Sequence, residues 1–254
     1  MSRFRAAELK HAVKRMKSGK AVKSGDVPVE CFKAMAAQDD DSFKILLDIC
    51  NRSWEDKAIP EEWATASVAL IFKKGDPAEC ENYRPICLLS VAYKLLASMI
   101  KQQFLDAGVD AALWPSQFGF RAARSTEDAI FIARRRIELA RAQRHGKVSL
   151  LALDWRKAFD SINVNSLLDA LRRFGIPAPF CEMLRGILQS RRFYVDECSE
   201  TSGLRPQHSG ISQGCTLSPM LFIIVMTVLL GDAVCCLGPE ATAAYKAGDL
   251  ADLV

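Results

Sequence analysis

The chain has 254 residues, of which 50% are hydrophobic and 25% charged, and its formal net charge is +4. This composition predicts a globular fold with a substantial core, in one large domain or two small ones. The charge is too small to establish a nucleic-acid partner. The longest apolar run, residues 220–230, is shorter than the roughly 20 residues of a membrane span, so we expect no membrane association.

Basic residues cluster at three places along the chain. Such clusters can follow a phosphate backbone, but for any single cluster a solvated helix face is the better interpretation. The clusters are Lys10, Lys14, Arg15, Lys17, Lys20 and Lys23; Arg134, Arg135, Arg136, Arg141 and Arg144; and Arg191 and Arg192.

The nine cysteines do not have the spacing of a metal site or a disulfide framework, because no Cys-X-X-Cys occurs. The histidines, at positions 11, 145 and 208, are not at zinc-ligand spacing either. We therefore expect buried or free thiols in a reducing compartment. The first residues do not form a signal peptide, and we expect an intracellular protein of the cytoplasm or nucleus.

The N-terminal part is predicted to be helical. An amphipathic helix over residues 4–16 is followed by a loop over 17–27, and Pro28 suits the start of the next helix. Asp41 could cap a helix that ends near Trp54, and residues 60–63 form a further helical turn. The apolar stripe of the 41–54 helix is Phe43, Leu46, Leu47, Cys50 and Trp54.

Residues 67–72 and 84–89 read as two strands joined by a turn at 73–77, which predicts a basic hairpin. A long helix follows from Ser90 to about residue 107 and ends at Gly108. Residues 125–128 resemble a capping box before a helix that reaches about residue 145 and is closed by Gly146.

Residues 147–154 are almost continuously apolar, which is typical of a strand buried on both faces. Helices are predicted over 167–174, up to Gly175, and from there to about residue 190. Residues 192–195 and 204–208 could pair around a turn, and an apolar helix covers about 216–230.

Asp154 lies at the end of the predicted buried strand. Transfer of a nucleotide to a 3′ hydroxyl needs two divalent ions held by carboxylates, and Mg²⁺ prefers such oxygen ligands. A rigid strand whose end opens to solvent suits this task. An aspartate that merely ends a strand is the simpler interpretation for Asp154 taken alone.

The neighbouring residues favour the metal site. Residues 151–160, Leu-Ala-Leu-Asp-Trp-Arg-Lys-Ala-Phe-Asp, and 210–219, Gly-Ile-Ser-Gln-Gly-Cys-Thr-Leu-Ser-Pro, resemble two palm motifs of reverse transcriptases of non-LTR (LINE-type) retrotransposons. The resemblance implies that Asp154 binds two Mg²⁺ ions, with the Trp155 carbonyl as a further ligand. It also implies that Phe159 packs under the sugar and excludes a 2′ hydroxyl. Asp160 we interpret as a local turn cap.

Further motifs follow the family's order along the chain. Residues 71–73 and 82–86 are similar to the segments that hold a triphosphate, and residues 117–121 to a template-facing segment. The resemblance implies nucleotide binding by Lys73, Arg84, Gln213 and Gly214, with Gly214 also letting the template-primer approach. It implies template binding by Gln117, Phe118, Gly119 and Arg121.

By this resemblance the fold is α+β: the fingers and a partial palm of a right-hand polymerase, with an antiparallel sheet backed by helices and without a thumb. We assign 1–60 to a helical extension and the start of the fingers, 61–146 to the fingers and 147–254 to the partial palm. The implied function is RNA-directed DNA polymerase activity. Its partners would be an RNA template, a DNA primer and deoxynucleoside triphosphates.

No Tyr-X-Asp-Asp sequence occurs, so we expect a fragment truncated before that motif and with negligible polymerase activity alone. Asp249 and Asp252 precede the expected position and are poor substitutes. A separate chain could supply the rest of the palm and the thumb. The alternative function is a non-catalytic nucleic-acid-binding remnant or an interaction module.

Overall fold

The computed structural model describes residues 3–38, 41–197, 200–239 and 243. Within these residues the fold mixes helices with one sheet. The helices are α1 (Ala6–Arg15), α2 (Val29–Gln38), α3 (Asp41–Asp56), α4 (Glu61–Ala64), α5 (Val91–Asp106), α6 (Thr126–Ala142), α7 (Val164–Phe174), α8 (Ala178–Ser190) and α9 (Ser218–Cys236). The strands are β1 (Thr65–Phe72), β2 (Tyr83–Leu88), β3 (Arg192–Glu197), β4 (Glu200–Thr201) and β5 (Arg205–Pro206).

The predicted basic hairpin is confirmed, since β1 and β2 pair antiparallel from Ser67 opposite Leu88 to Phe72 opposite Tyr83. The predicted pairing of the segment after residue 191 is confirmed as β3 with β5. The sheet is nevertheless mixed and not antiparallel throughout. β3 also pairs in parallel with β1, and this pairing joins residues far apart in sequence.

Local capping signals set several helix ends. The Ser125–Asp128 capping box at α6 is present as predicted, and Gly175 ends α7 with a φ of +100°. The helix α6 ends at Ala142, however, before the predicted closure at Gly146. The N-terminus of α5 is capped by a residue distant in sequence, because its Val91 N–H donates to the Asp26 carboxylate at 2.9 Å.

The core lies around α5, whose Leu95, Leu96 and Ile100 are fully buried. Aromatic rings extend this core towards the N-terminal helices. The Trp54 ring meets the ring of Phe4 at 5.7 Å and that of Phe180 at 4.8 Å between centroids. These contacts pack α3, α5 and α8 into one unit that supports the hairpin.

The strand predicted over residues 147–154 is wrong, because this segment forms neither a strand nor a helix and is not part of the sheet. The side chains of Leu150, Leu151 and Leu153 are 77%, 80% and 73% exposed. A strand obtains its hydrogen bonds from a neighbouring strand, and none of the described strands lies beside this segment. The apolar run alone therefore does not make a buried strand.

The helix α9 extends to Cys236, beyond the predicted end near residue 230. It has 19 residues and a mean hydropathy of 2.2, so by length and composition it could cross a membrane. Core helices meet the same criteria, and an ion pair between Arg173 of α7 and Asp232 fastens α9 to the rest of the fold. The expectation that no segment is long enough to span a membrane used the apolar run 220–230, which is shorter than the helix that contains it.

Candidate nucleotide site

The two motifs that carried the sequence interpretation lie against each other. The Ile211 N–H donates to the Phe159 carbonyl at 2.8 Å, and the Gly210 N–H donates to the Ile162 carbonyl at 2.7 Å. Gly210 has a φ of +76°, and a Cβ there would lie 2.8 Å from the Cα of Asp160. Only glycine permits this approach of the two loops.

Gln213 is held at both its backbone and its side chain. Its carbonyl accepts from the Cys87 N–H of β2 at 2.8 Å, and its amide Nε2 donates to the Asp160 carboxylate at 3.1 and 3.3 Å. Asp160 is therefore not simply a local turn cap, since its carboxylate binds a side chain 53 positions away. It fixes the orientation of the Gln213 amide.

Gly214 lies directly against β2. Its φ is +117°, and a Cβ at this position would lie 2.5 Å from the Cys87 carbonyl oxygen. The close approach that requires a glycine here is thus to the backbone of β2, whereas the sequence interpretation invoked the template-primer. The consequence is that β2 and the 210–214 loop form one rigid wall.

That wall borders a cavity of about 460 Å³ between the hairpin and the two loops. Three of the predicted nucleotide-binding residues, Lys73, Arg84 and Gln213, line it together. The Lys73 ammonium donates to the Glu81 carbonyl at 3.1 Å, at the tip of the hairpin. Sequence reasoning missed the other lining residues, which are Cys80, Glu81, Tyr83, Pro85, Lys157 and Asp160.

Glu81 bridges the hairpin tip to the loop after residue 155. Its carboxylate accepts from Arg156 at 2.9 Å and from Lys157 at 3.3 Å. The hydrogen bonds from Lys157 and Arg156, with their charges, lower the pKa of Glu81. One exposed carboxylate is therefore shared by two cations near the cavity, and the group keeps a net charge of about +1.

A second cavity of about 210 Å³ adjoins the first and shares Gln213 with it. Phe159 lines this cavity together with Gly214, and its ring stacks on Phe222 with centroids 5.0 Å apart. Phe120 meets Phe159 edge-on at 6.1 Å, is 58% exposed and has a φ of +62°. A phenylalanine in this backbone region is strained, and the sequence does not reveal that strain.

The predicted template residues are only partly directed outward. Gln117 donates to the Gly119 carbonyl at 3.0 Å, and the Phe118 ring lies 5.5 Å from the Arg124 guanidinium. The interpretation of Arg121 as template-facing needs correction, because its side chain is only 7% exposed. Its guanidinium is bound to the Asp110 carboxylate and to the carbonyls of residues 110 and 114. Arg121 therefore fastens the 110–121 segment.

Two of the basic clusters are also engaged within the chain. Arg134 and Arg135 both pair with Glu138 on α6, and exposed Arg192 pairs with Glu61. Arg191 is 5% exposed and donates to the Gly210 carbonyl at 2.8 Å, and burial lowers the pKa of its guanidinium. The possible role of Arg191 in following a phosphate backbone is thus replaced by a role in holding the 210–212 loop.

The proposed metal ligands are not among the residues that line the two cavities. Asp154 and Trp155 are exposed and line neither of them. Within the described part of the chain, no three histidine, cysteine, aspartate or glutamate side chains are grouped as a metal site requires. Asp249 and Asp252 lie outside the described residues. The described donors therefore do not make up a two-ion site.

Residues 71–235 match the sequence profile of reverse transcriptases (RNA-dependent DNA polymerases). The chain belongs to the reverse transcriptase family. The matched range contains the end of β1, all of β2, both loops and the residues that line both cavities, so the site lies within the part of the chain that matches the family. The resemblance to non-LTR enzymes drawn from the motifs is confirmed by the relatives.

The chain is 28% identical over 223 residues to a probable RNA-directed DNA polymerase from transposon BS of Drosophila melanogaster, covering 87% of this chain and 24% of that protein. It is 32% identical over 174 residues to the Pol polyprotein of the type-1 retrotransposable element R2 of Popillia japonica, covering 68% and 24%. It is 28% identical over 189 residues to the polymerase of the mobile element jockey of D. melanogaster, covering 73% and 20%. The chain thus spans about a quarter or less of the length of these relatives.

Proposed function

We propose that this chain provides the nucleotide-binding part of an RNA-directed DNA polymerase of a non-LTR retrotransposon, with deoxynucleoside triphosphates, an RNA template and a DNA primer as its partners. The observation that carries the proposal is the cavity in which Lys73 and Arg84 face the Gln213 loop. Under this proposal residues 1–60 are a helical extension and the start of the fingers, 61–146 the fingers, and 147–254 a partial palm, in an intracellular protein.

The charges of the cavity suit a triphosphate. Lys73 supplies a compact charge and Arg84 a planar fork of donors, and both ion types favour phosphate oxygens. The amide N–H groups of Gln213 donate to the Asp160 carboxylate, so its amide oxygen is the atom that can accept a hydrogen bond from a ligand. Phe159 borders the adjoining cavity, where the family resemblance has the sugar packed on an aromatic ring.

The family generally uses divalent metal ions, and we propose Mg²⁺ for this member. Asp154 and the Trp155 carbonyl are the ligands that the chain would contribute from its exposed 147–155 segment. Among the described residues these donors do not form a complete two-ion site.

Cys80 gives a direct test of nucleotide binding. It is exposed and lines the cavity with Lys73 and Arg84, whereas exposed Cys31 lies on α2. We expect a deoxynucleoside triphosphate to slow alkylation of Cys80 by iodoacetamide, measured by peptide mass spectrometry, and to leave Cys31 unchanged. Replacing Arg84 by glutamine should weaken this protection roughly tenfold or more, since charge-assisted hydrogen bonds contribute about 1.5–3 kcal/mol.

The matched control is Arg52→Gln, which removes an equal charge from an exposed position on α3 and should leave the protection unchanged. Equal alkylation of Cys80 with and without nucleotide would remove the proposed binding site. A loss of protection in both arginine variants would mean that overall charge, and not the cavity, explains the effect.

Removal of Glu81 is expected to increase nucleotide affinity. Glu81 pairs with Arg156 and Lys157 beside the cavity, so Glu81→Gln removes one negative charge and releases both cations from the ion pairs. We expect a severalfold lower nucleotide concentration for half-protection of Cys80. Glu79→Gln removes the same charge from the same turn without touching either cation, and should have a smaller effect. Equal effects of the two variants would show that the ion pairs do not compete with nucleotide.

A second candidate function is nucleic-acid binding without catalysis, and the incomplete set of metal donors among the described residues favours it. Primer extension on an RNA template distinguishes the two functions. Extension by the purified chain that Asp154→Asn abolishes would exclude a binding-only role. RNA binding without extension and without protection of Cys80 by nucleotide would support it.

A further inference from the structure

A third cavity, of about 330 Å³, lies among α1, the 17–22 segment, α2 and α5. It is strongly basic, and none of its lining residues carries a carboxylate. Its basic residues are Arg15, Lys17, Lys20, Lys94 and Lys101. Such a concentration of positive charge around a concave surface favours an anionic ligand.

The lysines of this cavity are not engaged elsewhere. Lys17, Lys20, Lys94 and Lys101 make no side-chain hydrogen bond or ion pair with the described residues, whereas the Arg15 guanidinium donates to Gln102 Oε1 at 3.1 Å. The carboxylate of Asp26 acts electrostatically on Lys94. This carboxylate is already bound by the Val91 N–H at 2.9 Å and the Ser90 hydroxyl at 3.4 Å.

Lys94 and Lys101 are half-buried on α5. Burial lowers the pKa of both ammonium groups, and the nearby charge of Arg15 lowers that of Lys101 further. Asp26 and Cys215 only partly oppose the shift at Lys94. A buried ammonium without a counter-charge is unfavourable, so an anion in the cavity would stabilise both groups.

The position of the cavity indicates where the anion comes from. Thr216 lines it and belongs to the loop that carries Gln213 and Gly214 of the nucleotide site. The Thr216 hydroxyl lies 3.5 Å from the Lys94 carbonyl, so this loop contacts α5 directly. A nucleic-acid strand bound near the nucleotide site would therefore be the nearest source of phosphate.

We propose that this cavity binds a backbone phosphate of a single-stranded nucleic acid held by the domain, an inference that rests on the proposed function. The remaining lining is mainly aliphatic, with Ala12, Met16, Val22, Val29 and Leu105 among its residues, and no aromatic side chain lines it. Bases stack on aromatic or guanidinium planes, and the one guanidinium of the lining, that of Arg15, is hydrogen-bonded to Gln102, so the aliphatic floor suits a sugar better than a base. The site reads the backbone and is indifferent to sequence.

The basic residues of the N-terminal segment form one cluster in the sequence, but in the structure they lie at three different places. Arg15, Lys17 and Lys20 face the cavity, whereas Lys10 and Lys14 line a separate depression. The Lys23 ammonium donates to the Glu62 and Thr65 carbonyls at 2.6 and 3.2 Å. Two lysines of α5, which the sequence did not single out, complete the site.

The test is the salt dependence of binding of fluorescein-labelled oligouridylate and oligoadenylate, measured by fluorescence anisotropy on the whole chain. We expect equal affinity for both sequences. The double variant Lys94→Gln/Lys101→Gln should weaken binding of both about tenfold at low salt. It should also reduce the slope of log K against log salt by about 0.7 per lysine.

The control variant Arg52→Gln/Arg185→Gln removes the same charge outside the cavity and should bind RNA as the unmodified chain does. Circular dichroism checks that both variants fold. If the double lysine variant does not fold, the single variants Lys17→Gln and Lys20→Gln, at exposed positions, replace it in the binding assay. Unchanged affinity and slope on removing the lysines overturns the proposal.

A calorimetric titration with inorganic phosphate distinguishes a free phosphate ion from a backbone phosphate as the ligand of the cavity. Phosphate binding that requires Lys94 and Lys101, together with RNA binding that does not, would assign the cavity to a free anion and overturn the backbone proposal. The Cys80 protection assay keeps the proposed function separate. The lysine variant should retain protection by nucleotide, whereas failure of the nucleotide site removes protection from every variant.

Discussion

Replacement of Gly214 by alanine is expected to lower the free energy of unfolding by about 3 kcal/mol. Two effects add at this position. The φ of +117° is unfavourable for any residue with a Cβ, and that Cβ would lie 2.5 Å from the Cys87 carbonyl oxygen. The clash is with backbone, so no side-chain rotation relieves it, and β2 must move from the 210–214 loop. Urea denaturation followed by circular dichroism measures the change.

Gly175→Ala is the matched control for this variant. Gly175 has a φ of +100°, and a Cβ there would meet nothing within 4 Å, so the variant retains the backbone strain without the clash. It should lower stability by only about 1 kcal/mol. Gly214→Ala should also weaken the protection of Cys80 by nucleotide, because Gln213 is the neighbouring residue. Equal destabilisation by the two alanines would show that the approach of Gly214 to β2 has little energetic importance.

Replacement of buried Arg191 by methionine is expected to lower the free energy of unfolding by about 2 kcal/mol, with the 210–212 loop loosened. The guanidinium binds the Leu188 carbonyl at 3.1 Å, the Gly210 carbonyl at 2.8 Å and the Ser212 hydroxyl at 3.4 Å. Methionine fills much of the volume but leaves these buried acceptors unpaired. Burial of the charged guanidinium is unfavourable and lowers the pKa of Arg191. Removing this buried charge therefore offsets part of the lost stability.

Two measurements test this effect. Urea denaturation gives the stability, and the alkylation rate of Cys87, whose pKa burial raises to about 11, reports on loosening at β2. Arg192→Met is the control, since this adjacent and exposed arginine pairs with Glu61 alone among the described residues, and such pairs contribute about 1 kcal/mol or less. If the Arg191 and Arg192 variants have similar stabilities and Cys87 stays unreactive, the buried guanidinium does not hold the loop.

The sequence predicted those elements whose signals are local. The hairpin of β1 and β2 follows from two apolar runs around a Gly-Asp-Pro turn. Gly175 ends α7 because glycine adopts the required positive φ more easily than other residues do. Lys73, Arg84 and Gln213, which the motif resemblance assigned to nucleotide binding, line one cavity. Their roles in nucleotide binding remain predictions.

Other features could not be predicted because they depend on contacts distant in sequence. The 147–154 run has the composition of a buried strand, but a strand needs a partner for its backbone hydrogen bonds. The arginines at 121 and 191 look like surface cations in the sequence, yet each binds carbonyls that folding brings to it. Composition does not record such satisfied, buried charges.

The amino-acid sequence by itself determined the family of this chain, most of its helix ends and the residue types of its nucleotide site. Only the tertiary structure decided that β3 joins β1 in parallel, that Asp160 orients Gln213, and that lysines of α5 meet those after α1 in one cavity. The physical reason is the range of the interactions. Caps, turns and apolar periodicity act within a few residues, whereas sheet pairing, buried charge and cavity shape arise only when distant segments pack.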